Sequence, residues 1–172
     1  MNIMFIGAHQ DDEMYALGTL IKYMKQGGHS LKFVCLTNGD KGMSFDTSIS
    51  LNEVAEIRDK EMNAVAKAMG AEYTCLGEPD EFLFDSKEIR LKVIDIIRAF
   101  KTDLIFTHWV HDYNLDHSET SRIVYQSSMN SIIASILTEH EAIKTTPKIY
   151  YVDVWDEGYG FIGTHYTELD ED

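Results

Sequence analysis

His9, Asp11, Asp12 and Glu13 place one imidazole and three carboxylates directly after the apolar stretch Met1 to Ile6. His9 and Asp12 are three residues apart, so both can reach one metal ion from a single turn of chain. Asp11, between them, is left free to act on a metal-bound water. The chemistry suggested is metal-assisted hydrolysis. A competing reading of Asp11-Asp12-Glu13 is acidic complementation of a helix N-terminus, which accounts for the acids but not for His9. A second polar cluster, His108, His111, Asp112, Asn114, Asp116 and His117, follows a later apolar segment. It is dense in metal-competent side chains, although Asp116 is also suited to cap a helix starting near Ser118. Two nitrogens and a carboxylate with an open fourth position describe a catalytic zinc site, where a nearby carboxylate can take the proton of the water.

These clusters need elements that bring them together. Apolar patterning predicts strands at Asn2–Ile6, Leu31–Leu36, Tyr73–Leu76, Asp103–Thr107 and Ile149–Val154. Helical spacing predicts helices over Glu13–Gln26, Leu51–Met69, from Ser86 through Phe100, and Ser118–Leu137. Short apolar strands alternating with helices imply an α/β fold of three layers. The sheet is then five-stranded, doubly wound, mostly parallel and Rossmann-like, with order 3-2-1-4-5 as the leading topology. That order sets strands one and four side by side, so the two clusters meet at the topological switch point. The chain, 1–172, reads as one domain.

The formal net charge is −14, from 29 acidic and 15 basic residues, and no basic stripe interrupts it. Such a surface repels phosphate backbones and argues against nucleic acid as a partner. No apolar run approaches the roughly 20 residues that cross a bilayer, and the N-terminus shows no charged leader, so no membrane partner and a cytoplasmic location are expected. Cys35 and Cys75, the only cysteines, sit in apolar stretches and read as buried reduced thiols. The eight methionines read mostly as core filler. Tyr150, Tyr151 and Trp155 read as strand and core, whereas Trp109 and Tyr113 are candidates for stacking on a sugar ring.

At these residues the chain resembles the PIG-L/LmbE-like zinc-dependent deacetylases, which remove acetyl groups from N-acetylglucosaminyl compounds. The family hallmark Ala-His-Pro-Asp-Asp-Glu appears as Ala8-His9-Gln10-Asp11-Asp12-Glu13, and His-Pro-Asp-His as Asn114-Leu115-Asp116-His117. A Thr-x-Gly turn resembles Thr37-Asn38-Gly39, and an Arg-x-x-Glu helix resembles Arg58 to Glu61. The resemblance implies zinc, or another divalent cation, held by His9, Asp12 and His117. It implies Asp11 as the general base, Asp116 as support behind the ligands, and Arg58 facing a small N-acetyl sugar or conjugate. The products are a free amine and acetate, and zinc is the main stabiliser of the oxyanion.

Two departures stand out. Gln10 replaces the usual proline, a change expected to leave the ligands alone. Asn114 stands where the family usually has a histidine that stabilises the oxyanion or protonates the leaving amine. Asparagine can donate a hydrogen bond there but no proton. His111 covering the role from three positions earlier, Asp11 returning the proton, and a slow enzyme all remain open, as does a metal-binding member with weak or no deacetylase activity. The resemblance also makes the C-terminus, at Thr164 to Leu169, look short, and a homo-oligomer supplying the missing wall is one arrangement. A phosphoacceptor receiver domain shares the acidic pair after strand one. However, Leu76-Gly77 occupies the place of its phosphorylated aspartate, and nothing in that reading uses His9 or His117.

Overall fold

Strand β1 (Asn2–Gly7) is apolar on both faces because both faces are covered. Its odd residues Ile3 and Phe5 join one core with Leu20, Phe33, Met62 and Ala66. Its even residues Met4 and Ile6 join another with Val34, Leu36, Val93, Ile97, Ile123 and Val124. The alternation is that of a strand, and each large aliphatic side chain buried this way contributes roughly 1.5–3 kcal/mol. Helices α1 (Leu17–Gln26) and α2 (Leu51–Met69) supply the first core; α3 (Lys87–Phe100) and α4 (Leu115–Asn130) supply the second. The result is three layers. This computed structural model describes residues 1–43, 45–154 and 157–168; Trp155 and Leu169, singled out above, lie outside the described residues.

The sheet contains β2 (Ser30–Thr37), β3 (Glu72–Glu78), β4 (Leu104–His108) and β5 (Lys148–Val152) besides β1, in the order β3-β2-β1-β4-β5. Every pairing is parallel, with Ile3 opposite Leu31 on one side and Leu104 on the other. This is the Rossmann-like α/β topology expected from the strand–helix alternation. Among the described residues no helix is long and apolar enough to cross a membrane.

Several boundaries differ from the periodicity. The first helix does not run evenly from Glu13: Asp12–Ala16 form a tighter 3₁₀ segment that leads into α1. The tighter winding turns Asp12, Glu13 and Ala16 inward, which a regular solvent-facing first turn does not do. Helix α4 starts at Leu115, not Ser118, because Asn114 rather than Asp116 is its N-cap; the Asn114 Oδ1 accepts from the backbone N–H of Asp116 (2.8 Å) and His117 (3.3 Å). It stops at Asn130 rather than Leu137, and β5 at Val152 rather than Val154.

Beyond α4, the chain is organised by one side chain. Arg98, 3% exposed, donates to the carbonyls of Ser131 (2.9 Å), Ile133 (2.9 Å), Ile136 (2.9 Å) and His140 (3.3 Å), and to the Thr138 hydroxyl (2.9 Å). Carbonyls that would otherwise end unpaired near the core are thereby satisfied without a helix.

The methionines divide differently from the expectation: Met4, Met62 and Met69 are buried, while Met1, Met14, Met24, Met43 and Met129 are exposed. Both cysteines are free thiols, Cys35 buried and Cys75 partly so. Their sulfurs donate to the carbonyls of His9 (3.1 Å) and Thr37 (3.2 Å).

Gln10 has a structural task. It is buried, and its Nε2 donates to Thr37 O at 3.0 Å, tying the turn after β1 to β2. Its Oε1 lies where a Cβ on Gly39 would sit, at 2.1 Å, and Gly39 has φ +64°. Gly39→Ala is therefore expected to cost about 2–3 kcal/mol, from a left-handed alanine and a displaced glutamine. Thermal unfolding checks this; an unchanged Tm would mean that the Gln10 strut swings away freely.

Candidate metal centre

The two clusters meet where β1 and β4 lie side by side. His9 and Asp12 leave the end of β1, His117 enters from the first turn of α4, and one ligand atom from each lies within 4.8 Å of the other two, with Asp12 turning one oxygen to each imidazole. His9 Nδ1 is 3.2 Å from His117 Nε2, His117 Nε2 is 3.2 Å from Asp12 Oδ1, and His9 Nδ1 is 3.6 Å from Asp12 Oδ2. Four ligands at about 2.0–2.1 Å around a tetrahedral ion stand roughly 3.3 Å apart, so these separations suit a zinc-sized ion with one position left open. The residues present fit the group.

Each member of the converging group is held from behind. Asp12 Oδ2 accepts the His9 backbone N–H (2.6 Å) and sits 2.9 Å from His108 Nε2. His117 Nδ1 faces Asp112 Oδ2 at 3.1 Å, and His9 Nε2 faces Asp80 Oδ1 at 3.0 Å. Outer partners of this kind set the imidazole tautomer and leave the inner nitrogen for a metal. The close packing begins with Gly7, where a Cβ would lie 2.8 Å from Asp12 Cβ. His108 stacks on His117 with ring centroids 3.9 Å apart and an 8° interplanar angle, closing the site from below.

Charge follows geometry. Burial opposes ionisation of Asp12, but His108, His117 and His9 hold its carboxyl well below the usual range. Burial also opposes a protonated His9, yet Asp116, Asp12 and Asp80 outweigh it and push its pKa up to about 12. His117 is raised as well, with Asp12 and Asp112 outweighing burial. His108 is lowered, burial winning over its contact with Asp12.

Above these groups is a cavity of about 320 Å³ lined by His9, Asp11, Asp12, Met14, Tyr15, Tyr113, Asn114 and His117. Asp11 is at its rim, 2.7 Å from Arg58 Nη2, and Arg58 also reaches Glu61 at 2.8 Å. Arg58 is thus next to the expected base but does not itself line the cavity. Asp116 is buried beneath: its Oδ2 accepts Glu81 N (2.7 Å) and its Oδ1 accepts Leu83 N (3.1 Å), with His9 Nε2 3.5 Å away. Asn114 reaches the cavity, though its carbonyl oxygen is committed to the helix cap. His111 is exposed, edge-on to Trp109 at 5.9 Å, and does not line the cavity.

The two aromatic candidates separate. Tyr113 lines the cavity, edge-on to His117 at 6.0 Å. Trp109 instead packs the C-terminal segment, donating to Tyr159 O at 3.1 Å and meeting Phe161 edge-on.

Sequence reasoning gave no role to Asp80, Tyr15, His108 or Asp112. The last two were visible as metal-competent residues after β4. Asp80 follows β3, two strands from β1, so strand order alone pointed away from it.

With this geometry in place, similarity to known proteins becomes informative. The chain is 24% identical over 149 residues to 4-oxalmesaconate hydratase of Pseudomonas putida, covering 84% of this chain and 55% of that protein. It is 27% identical over 132 residues to a probable N-acetyl-alpha-D-glucosaminyl L-malate deacetylase 2 of Bacillus cereus, covering 73% and 60%. The N,N'-diacetylchitobiose deacetylase structure from Pyrococcus horikoshii superposes with a TM-score of 0.80 at 25% identity, covering 90% of this chain and 61% of that one. The chain spans under two thirds of the length of each. Residues 4–128 match the family model described as GlcNAc-PI de-N-acetylase, PIG-L, and the chain belongs to that family.

Proposed function

We propose that this chain is a divalent-metal-dependent amidohydrolase, with zinc as its ion, that removes the acetyl group from an N-acetylated amino sugar of the N-acetylglucosaminyl type or its conjugate. The observation that carries the reading is the convergence of His9 Nδ1, Asp12 and His117 Nε2 under a cavity with Asp11 at its rim. When bound, zinc supplies a Lewis acid for the acyl oxygen and acidifies water to a pKa of about 7.

The side chains divide the remaining work. His9, Asp12 and His117 bind the ion, and Asp11 accepts the proton of the attacking water at its carboxylate. Arg58 holds Asp11 at the rim and offers a cation to the substrate as it enters. Asp116 fixes the backbone of the loop that closes behind His9. Asn114 can offer an amide N–H but no proton, so Asp11 is the group left to return a proton to the leaving amine. The substrate is a small molecule, and a neighbouring subunit closing the cavity belongs to the same reading.

Acetate release by the zinc-loaded protein across a panel of N-acetylglucosaminyl compounds tests this. A zinc-loaded protein that releases none across the panel defeats it. A second reading, addition of water to an unsaturated acid, is favoured by the likeness to the Pseudomonas hydratase and by the absence of a histidine at Asn114. Following the loss of an unsaturated acid's absorbance with the same protein separates the two.

Metal uptake should depend on pH. His9, raised to about 12, carries a proton that the ion must expel, and the upward shift of His117 acts in the same direction. Zinc affinity is therefore expected to rise with pH, about tenfold per unit for each proton expelled. Competition titrations between pH 6 and 8 check this; a flat profile would show that neither imidazole is protonated in the free site.

A further inference from the structure

His9 can present Nδ1 to an ion only if its proton sits on Nε2, and a buried Nε2–H needs an acceptor. Two carboxylates compete for that place. Asp116 Oδ2 is 3.5 Å from Nε2, beyond the usual 2.7–3.2 Å for an N–H···O bond. Both of its oxygens already accept backbone N–H groups, from Glu81 and Leu83. Asp80 Oδ1 is 3.0 Å from Nε2, and its other oxygen is fixed by the Lys41 N–H at 3.1 Å. Asp80 is 5% exposed and does not line the cavity, so it is not placed to touch a substrate there.

We propose that Asp80 is the positioning residue that orients His9 for the metal, while Asp116 serves chiefly to pin the loop that brings Asp80 there. This rests on the reading of His9 as a ligand. The arrangement is built in sequence: Asp116 captures Glu81 and Leu83, Lys41 fixes the Asp80 carboxylate, and that carboxylate fixes the ring. Neighbouring contacts hold the same loop, with Asn38 N donating to Glu78 O at 2.8 Å. A ligand in the turn after β1 is thereby supported from the loop after the edge strand β3.

The test reads metal binding rather than turnover. Asp80→Asn and Asp80→Ala are expected to weaken zinc binding about 10–100-fold, measured by chelator competition. They should also shift the visible absorption of the cobalt-substituted protein, which a merely structural carboxylate would leave unchanged. Asp80→Glu, which keeps the charge, should recover part of the affinity and serves if the other two fail to fold. Asp95→Asn, at a carboxylate–histidine pair on the surface with His140 (3.1 Å), is the control and should change neither.

Zinc affinity within twofold of wild type in Asp80→Asn, with an unchanged cobalt spectrum, overturns the inference. So does a loss of zinc in Asp116→Asn that Asp80→Asn does not share. A wild-type chain that takes up neither zinc nor cobalt overturns the ligand reading and this inference together. A chain that binds zinc but releases no acetate counts against the proposed reaction only, and the affinities still decide on Asp80.

Discussion

Asp11→Asn is expected to lower kcat by about 10²–10⁴-fold, the usual worth of a positioned general base, while zinc content stays at the wild-type level. Asp11 contributes no atom to the converging group, yet of the run's two such carboxylates it is the one that lines the cavity. Its side chain is 57% exposed, with a single ion pair to Arg58. An exposed pair of this kind is worth about 0–1 kcal/mol, so the fold should not notice its loss. The amide is nearly isosteric, still able to hydrogen-bond, and unable to take a proton. Wild-type turnover in the variant would remove Asp11 from the reaction, and loss of zinc would move it among the ligands. Steady-state kinetics with metal analysis on one preparation reads both.

Asp12→Ala should act in a different way, abolishing zinc uptake and weakening the metal-free fold. Asp12 is 3% exposed and takes contacts from the His9 backbone, His108, His117 and the His9 ring. Removing it takes from the His9 and His117 rings the carboxylate that favours their charged forms. Breaking a buried pair from one side costs about 3–5 kcal/mol, which for a chain of this size lowers Tm by roughly 10 °C. Excess zinc should raise the Tm of wild type by mass action and leave that of the variant unmoved. Thermal unfolding with chelator and with zinc gives the four values needed. A metal-free Tm within 2–3 °C of wild type, a shift worth about 1 kcal/mol, would show that the imidazoles simply release their protons.

Much of this was legible before any coordinates because short-range rules governed it. The doubly buried β1 announces itself as an apolar run, and the strand–helix alternation leaves few topologies. The order 3-2-1-4-5 then forces the turn after β1 and the loop after β4 into one crevice. Where the reading failed, a side chain had overridden the local pattern. Asn114 takes the cap that Asp116 was equally suited to hold, because Asp116 is engaged with Glu81 and Leu83. Helix α4 ends early because Arg98, far away in sequence, satisfies the carbonyls of the following segment. His108 and Asp112 could be seen, but their roles depend on which ring nitrogen faces inward, and no spacing encodes that.

The Arg98 arrangement also bears on how this protein can vary. A guanidinium that grips main-chain oxygens is indifferent to the identity of the residues that own them. Between α4 and β5, substitutions at Ile132, Ile133, Leu137 and Glu139, all exposed, should therefore be absorbed with little loss. Change at Arg98 itself should not. The segment is free to drift in sequence while its path stays fixed, so mutational pressure over some fifteen positions is concentrated on one arginine in a neighbouring helix.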